Sequence, residues 1–211
     1  MTAPTQRALA LVLLIVAAPV IAVLGVAVLT DSRRPVLHRS IRVRPGGTFT
    51  MYKLRTMRVT GGPGITAAAD PRVTRVGRFL RKSKLDELPQ LWNVVKGDMA
   101  LVGPRPEDPR YVDLSDHLHA TVFGALPGIT GPTALAFRDE EEVLVEAATA
   151  IARADGREVP LDQDLDRAYR DVVLPAKLAM DAEYLKKRSW RGDLKILGMT
   201  FGHVLRRRGR P

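Results

Sequence analysis

The sequence contains no cysteine and only four histidines among its 211 residues. Without cysteine the chain can form neither disulfide bonds nor thiolate metal sites, which fits a reducing compartment. The histidines do not cluster with carboxylates along the chain, so a tight zinc site is not expected. Aromatic residues make up only 5% of the chain. Binding of single-stranded nucleic acid usually requires a row of aromatic stacking platforms, so the composition argues against this function.

Acidic residues are scarce in one part of the chain. Between Ser32 and Leu85 there are fourteen lysines or arginines and a single acid, Asp70. The whole chain carries a formal net charge of +10 at pH 7. Such a surplus indicates an anionic partner, namely nucleic acid, acidic membrane lipid or a phosphorylated substrate.

The longest hydrophobic run, residues 8–29, contains no charge and is long enough to span a bilayer as a helix. Pro19 lies in its middle, where a proline removes one backbone hydrogen bond and bends or breaks a helix. The arginines that follow the run indicate that the next part of the chain stays in the cytoplasm. We therefore predict a membrane segment over residues 1–32 and a cytoplasmic domain over residues 33–211. A re-entrant hairpin, a single span and a signal peptide remain open as alternatives.

Alternating apolar and polar residues on both sides of residues 45–47 (PGG) predict a β-hairpin. Ile41, Val43, Phe49 and Met51 are expected to share its buried face. Other apolar patterns predict a strand at 99–102, helices at 73–82, 139–151 and 164–187, a glycine-rich loop at 61–69 and a basic, membrane-facing tail at 206–208. Together these elements predict an α+β fold, in which a compact and mostly helical domain with a small β-hairpin follows the membrane segment.

A further amphipathic helix is predicted over residues 85–95, and Gly97 ends it. Its start has two alternatives. If Ser83 caps the helix, Pro89 falls too deep and kinks it. If Asp86 is the cap, Pro89 lies among the first residues, whose N–H groups have no intrahelical partner. The second alternative is preferred, and both place Asp86 at a helix N-terminus, where the helix dipole favours its anion.

Two adjacent carboxylates, Asp86 and Glu87, interrupt the basic region, and Arg105 follows within residues 102–106 (VGPRP). Adjacent carboxylates among many cations suit a divalent metal and an anionic substrate. The prolines beside Arg105 restrict the backbone, so its guanidinium is presented with a reduced loss of entropy. Taken alone, the same residues also fit an acidic helix start and an ordinary proline-rich turn.

Six short motifs occur in order: 52–57 (YKLRTM), 85–91 (LDELPQL), 93–98 (NVVKGD), 102–106 (VGPRP), 127–131 (PGITG) and 193–197 (DLKIL). Their composition and order resemble those of the bacterial sugar transferases, the monotopic polyprenyl-phosphate phosphoglycosyl transferases. The resemblance covers nearly the whole chain.

The resemblance implies a specific reaction and a specific site. A phosphosugar moves from a nucleotide diphosphate sugar, usually UDP-linked, to a polyprenyl phosphate such as undecaprenyl phosphate, and the nucleoside monophosphate is released. Mg²⁺ is the implied cofactor, Asp86 the nucleophile that carries the phosphosugar covalently, and Glu87 its partner. Both carboxylates are candidate metal ligands. The product would initiate a membrane glycoconjugate, such as an exopolysaccharide, a capsule, an O-antigen or a glycoprotein glycan.

The resemblance also implies a place in the cell and a topology. The membrane element would be a re-entrant helix hairpin broken at Ala18-Pro19, with the catalytic domain on the cytoplasmic face of the bacterial inner membrane among anionic lipids. A homodimer is left open, and nucleic acid is not expected as a partner.

Basic residues are candidates for contacts with substrate phosphates: Lys53, Arg55, Arg78, Arg81 and Arg105. Arg138 joins them through the resemblance, because it lies where the family often has a functional arginine. For the arginine stripe at residues 72–82 the alternative is a solvated face, or one that lies on acidic headgroups.

Two segments depart from the family pattern. Residues 6–9 (QRAL) replace a basic-aromatic-Asp signature, and residues 132–138 (PTALAFR) replace an aromatic, amide-rich segment. The donor sugar therefore does not follow from the resemblance. The alternative function is a non-enzymatic, membrane-anchored basic protein that binds acidic lipid or nucleic acid, which predicts salt-sensitive DNA binding.

Overall fold

The computed structural model describes residues 2–32, 34–58, 70–138 and 140–206. Its elements, in chain order, are α1 (Ala3–Ser32), β1 (Leu37–Arg44), β2 (Gly47–Leu54), α2 (Arg75–Ser83), α3 (Gln90–Lys96), β3 (Ala100–Val102), α4 (His117–Phe123), β4 (Gly128–Thr130), α5 (Pro132–Ala136), α6 (Glu140–Ala154), α7 (Asp162–Ala168), α8 (Leu174–Lys186) and α9 (Trp190–Arg206). The predicted α+β class is confirmed. The predicted loop at 61–69, Asp139 and residues 207–208 of the predicted tail lie outside the described residues.

Helix α1 runs uninterrupted with Pro19 inside it. Within the described ranges it is the one helix long and apolar enough to cross a membrane, and most of its large apolar side chains are exposed. Both of its ends contact the same domain. Near its start, Gln6 Oε1 accepts a hydrogen bond from the Leu101 N–H at 2.9 Å. Near its end, Asp31 Oδ2 accepts one from the Val76 N–H at 2.8 Å. The described helix does not show the predicted hairpin bend at Pro19.

Strands β1 and β2 form the predicted antiparallel hairpin, joined at residues 45–46. The prediction that its four apolar residues share one buried face is wrong. Val43 and Phe49 pack into different cores, and Ile41 is 52% exposed. The register pairs Ile41 with Thr50, which is the neighbour of Phe49. Because side chains alternate along a strand, Phe49 therefore faces away from Ile41 and Val43.

The predicted helix over residues 85–95 is divided in two. Leu85–Glu87 form a 3₁₀ turn, and α3 begins at Gln90 with Pro89 in its N-cap position. The preferred prediction that Asp86 is the cap is therefore wrong. Proline has no N–H group to join the helical hydrogen-bond ladder, so the regular α-helix begins after it. The predicted end is confirmed, since Gly97 takes the left-handed conformation there.

The predicted strand at residues 99–102 is confirmed as β3, which pairs in parallel with β4. One core joins α1, β2, α3 and β3 through Ala10, Phe49, Val94 and Leu101. A second core joins α4, α6, α7 and α8. Strand β3 thus lies in the first core between α1 and α9, and the loop after it carries Arg105.

Candidate active site

The two adjacent carboxylates lie in the 3₁₀ turn between α2 and α3. Asp86 is 7% exposed, and the Glu87 side chain is 12% exposed. Glu87 Oε1 accepts a hydrogen bond from Lys53 Nζ at 2.9 Å and another from Arg105 Nη2 at 3.3 Å. Lys53 belongs to β2 and Arg105 to the loop after β3, so three distant segments meet at one oxygen. The structure therefore brings together four of the residues predicted from the sequence.

The pKa values of the two carboxyl groups shift in opposite directions. Burial alone would raise the pKa of Glu87, but the positive charges of Lys53 and Arg105 outweigh burial and hold this pKa at about 2. Burial raises the pKa of Asp86, Lys53 opposes the rise, and the negative charge of Glu87 adds to it. The positive charges of the site thus stabilise the ionised form of Glu87 more than that of Asp86.

Asp86 Oδ1 is buried and has no hydrogen-bond partner among the described residues. Burial of a polar oxygen without a partner is unfavourable, so this atom suits a ligand that supplies positive charge. In the described part of the chain no cluster of three or more acidic or histidine side chains could hold a metal ion. Mg²⁺ is usually bound by one or two carboxylates together with water and substrate phosphates. The pair of carboxylates fits this donor set.

The loop that carries Arg105 is fixed by close contacts between glycine backbones. A Cβ atom on Gly128 would lie 2.1 Å from the Gly103 nitrogen, and one on Gly131 would lie 2.2 Å from the Gly103 oxygen. Only glycine permits this approach without displacing a backbone. The two motifs that contain these glycines therefore form one structural unit, although they are more than twenty residues apart.

Buried polar residues of the C-terminal half support the same loop. Asp181, on α8, accepts a hydrogen bond from the Arg105 N–H at 3.4 Å and one from Thr133 Oγ1 at 3.1 Å. Burial raises the pKa of Asp181 to about 6, although the Thr133 hydroxyl opposes the rise. The carboxylate thus links α8 and α5 to the backbone of the arginine that contacts Glu87.

A second buried group lies beside this loop and was not predicted from the sequence. Lys177 Nζ donates to the Tyr169 hydroxyl at 2.9 Å and lies 3.7 Å from Glu107 Oε2. Tyr169 also donates to Glu107 and begins a π-helical segment, Tyr169–Val173, of a kind often found at functional sites. The available signal was the position of Glu107, an acid directly after residues 102–106.

Lys84 is a further residue at the carboxylate pair that the sequence argument did not single out. Its backbone is left-handed, with φ at 58°, and no other non-glycine residue in the described ranges has a positive φ. Glycine usually takes this position at a helix end, since other residues are strained there. Burial lowers the pKa of Lys84, and so does the charge of Arg105, while Glu87 and Asp86 oppose the shift. The available signal was a lysine where a helix-ending glycine is typical.

Other predicted substrate residues lie away from the Glu87 contacts. Arg55 is buried and donates to the carbonyl groups of Ser32, the last residue of α1, and of Arg34. Arg81 pairs with Glu141 at 2.7 Å, although its charge also acts on Asp86. Arg78 is exposed on α2, and Arg138 lies in the turn between α5 and α6. Contacts of these arginines with a substrate stay a prediction.

Comparison with known proteins gives a consistent result. The family model for bacterial sugar transferases matches residues 3–207. The UDP-glucose:undecaprenyl-phosphate glucose-1-phosphate transferase of Caulobacter vibrioides is 44% identical over 121 residues, which cover 54% of this chain and 45% of that protein. The undecaprenyl-phosphate galactose phosphotransferase of Salmonella typhimurium is 33% identical over 222 residues, which cover 94% of this chain and 39% of that protein.

An uncharacterized sugar transferase of Bacillus subtilis, EpsL, is 33% identical over 183 residues, which cover 86% of this chain and 72% of that protein. The chain therefore spans most of the length of this relative. It spans less than half the length of the Caulobacter and Salmonella proteins.

Proposed function

This chain belongs to the bacterial sugar transferase family, and from that premise we propose that it transfers a sugar 1-phosphate from a UDP-sugar to undecaprenyl phosphate and releases UMP. The observation that carries the proposal is the buried carboxylate pair, in which two cations compensate Glu87 while one oxygen of Asp86 has no partner among the described residues. A non-enzymatic basic protein would not require a site of this kind.

Asp86 is the nucleophile in this proposal. A carboxylate oxygen of Asp86 attacks the phosphorus that bears the sugar, the bond from this phosphorus to the bridging oxygen breaks, and UMP leaves with that oxygen. An oxygen of undecaprenyl phosphate then attacks the same phosphorus and releases the Asp86 carboxylate. An acyl phosphate is reactive enough to pass on its phosphoryl group. The partnerless oxygen suits attack because no protein donor has to be displaced from it.

Glu87 acts through its neighbours. By accepting from both Lys53 and Arg105, it holds two positive groups beside Asp86, where they can contact the diphosphate of the donor. Asp86 and Glu87 would hold Mg²⁺. When bound there, the ion would neutralise charge on the diphosphate.

We place residues 1–32 in the bacterial inner membrane and residues 33–211 on its cytoplasmic face. The support is that both ends of α1 contact one domain, which favours both ends on the same side of the bilayer. The native chain has no cysteine, so single labels can be placed by Ala3→Cys and Arg34→Cys. Both labels should react only from the cytoplasmic side. Labelling from opposite sides would establish a simple span instead of a re-entrant hairpin.

The relatives transfer different sugars, since their names specify glucose for the Caulobacter protein and galactose for the Salmonella protein. We therefore propose the UDP-sugar class without a particular sugar. The lipid-linked product would serve as the first intermediate of a membrane glycoconjugate.

The test uses membranes that contain the full chain, undecaprenyl phosphate and a panel of UDP-sugars, with UMP release as the measurement. The parent should release UMP with at least one donor, and EDTA should stop it. Asp86→Asn should abolish release, whereas Asp171→Asn, at an exposed carboxylate, should retain it. With donor alone, the parent should gain the mass of a phosphosugar, and hydroxylamine should remove this mass. Turnover by Asp86→Asn near the parental rate would disprove the nucleophile assignment.

A further inference from the structure

A polar cleft of about 420 Å³ lies at the C-terminal end of α1, separate from the contacts of Glu87. Three arginines line it, Arg58, Arg75 and Arg78, together with Asp31 and uncharged residues of the segment before α2. The lining carries three guanidinium groups and one carboxylate, so its net charge is positive. An anion is therefore the ligand that this cleft favours.

The cations of the cleft are available to a ligand. All three arginines are exposed, and none of them takes part in an ion pair within 4.0 Å among the residues that the structure describes. This differs from Arg81 on the same helix, which pairs with Glu141.

Two of the N–H groups at the N-terminus of α2 are already satisfied by side chains of the chain itself. Asp31 Oδ2 accepts from the Val76 N–H at 2.8 Å, and Thr74 Oγ1 accepts from the Gly77 N–H at 2.9 Å. An anion in the cleft would therefore bind to guanidinium groups rather than to free backbone N–H groups. Arginine suits this task, because its planar donors match the oxygens of a phosphate.

The position of the cleft indicates an anion at the membrane surface. Asp31 is the second-last residue of the apolar helix α1, so the cleft opens at the level where a membrane helix leaves the hydrocarbon layer. The exposed face of α2 there combines Arg75, Arg78 and Lys82 with Phe79, which is 58% exposed. Cationic groups beside an exposed aromatic ring are typical of a helix that lies at a membrane surface.

From this geometry we propose that Arg58, Arg75 and Arg78 bind the phosphate of an anionic phospholipid headgroup. The cleft is separate from the carboxylate pair, because neither the pair nor the cations that contact Glu87, Lys53 and Arg105, are among its lining residues. The bound headgroup would fix the end of α1 and the start of α2 at the membrane surface. The proposal depends on the membrane placement of α1 and not on the transfer reaction.

The test measures lipid binding to the detergent-solubilised full chain by native mass spectrometry, with phosphatidylglycerol as the probe. One basic residue near an anionic lipid surface changes affinity by about fivefold. The double variant Arg58→Gln/Arg75→Gln should therefore bind phosphatidylglycerol about 25-fold more weakly than the parent. The matched control Arg153→Gln/Arg167→Gln removes two exposed charges outside the cleft and should bind within about twofold of the parent.

Circular dichroism checks that both double variants keep their helical content, and the exposed positions make loss of the fold unexpected. Equal weakening in both double variants would show unspecific charge attraction and overturn the proposal. Undecaprenyl phosphate could instead bind the parent more tightly than phosphatidylglycerol does. If this difference in affinity were lost in the Arg58→Gln/Arg75→Gln variant, the cleft would be assigned to the lipid acceptor. Displacement of the lipid by equimolar inorganic phosphate would show a site for free phosphate. Either result would also overturn the phospholipid assignment.

Discussion

Replacement of Glu87 by glutamine removes the anion that Lys53 and Arg105 share, and it leaves two positive charges against a neutral amide. A lowering of the Glu87 pKa from 4.5 to about 2 corresponds to roughly 3 kcal/mol of stabilisation of the folded state at pH 7. Removal of one partner from a buried ion pair typically costs about 3–5 kcal/mol, which is the same range. We therefore expect Glu87→Gln to lower the free energy of unfolding by about 3 kcal/mol at pH 7.

The stability lost in Glu87→Gln should become smaller as the pH falls. The pKa of Glu87 is lower in the folded than in the unfolded chain, so its stabilisation is fully present above pH 4.5 and disappears as the pH falls toward 2. The difference between the parent and Glu87→Gln should therefore shrink from roughly 3 kcal/mol at pH 7 to roughly 2 kcal/mol at pH 3.5.

Urea denaturation of the detergent-solubilised chain, followed by far-UV circular dichroism, measures this difference. Glu183→Gln is the control, because its partner Lys187 is 78% exposed and loss of an exposed ion pair should change the stability very little. Lys53→Met and the double variant Lys53→Met/Glu87→Gln complete a double-mutant cycle. The double variant should lose less stability than the sum of the losses in the two single variants, by at least about 1 kcal/mol. Additive losses, or a difference that stays constant with pH, would refute the shared-anion reasoning.

Three further predictions concern the residues around the pair. Gly128→Ala places a Cβ atom 2.1 Å from a backbone nitrogen; it should cost about 1–3 kcal/mol in thermal denaturation and reduce UMP release, because it displaces the Arg105 loop. Asp181→Asn removes a carboxylate whose burial raises its pKa to about 6, so the variant should melt above the parent at pH 8 and lose this gain below pH 3.8. Lys84→Gly relieves left-handed strain of about 1–2 kcal/mol and removes a cation from the pair. It should therefore melt higher and release UMP more slowly, and an unchanged rate would exclude a role of the Lys84 side chain.

The sequence predicted those elements around the site that depend on neighbouring residues or on the periodic spacing of apolar residues. The strand before Arg105 and the glycine end of α3 depend on neighbouring residues, and both were placed correctly. The helix start at Asp86 was not, because Pro89 delays the start of α3 to Gln90. The register of the β-hairpin was not, because alternation alone does not reveal that both faces of this hairpin pack against a core. The contact between Asp181 and the Arg105 backbone joins segments 76 residues apart, so no local pattern could indicate it.

The distribution of charge explains why the metal and the donor should bind together. Lys53 and Arg105 both contact Glu87, whereas Asp86 Oδ1 has no hydrogen-bond partner among the described residues. Without a bound donor, the chain therefore offers a divalent cation only two carboxylates. The charge of one of them, Glu87, is already balanced by Lys53 and Arg105, so the affinity for the cation should be low. A diphosphate adds oxygen ligands and negative charge, and Mg²⁺ sites of this kind commonly include substrate phosphates. Mg²⁺ should thus bind the chain more tightly in the presence of a UDP-sugar than alone. Isothermal titration of the Asp86→Asn variant with and without donor should show this coupling reduced, since one of its two carboxylates has become an amide.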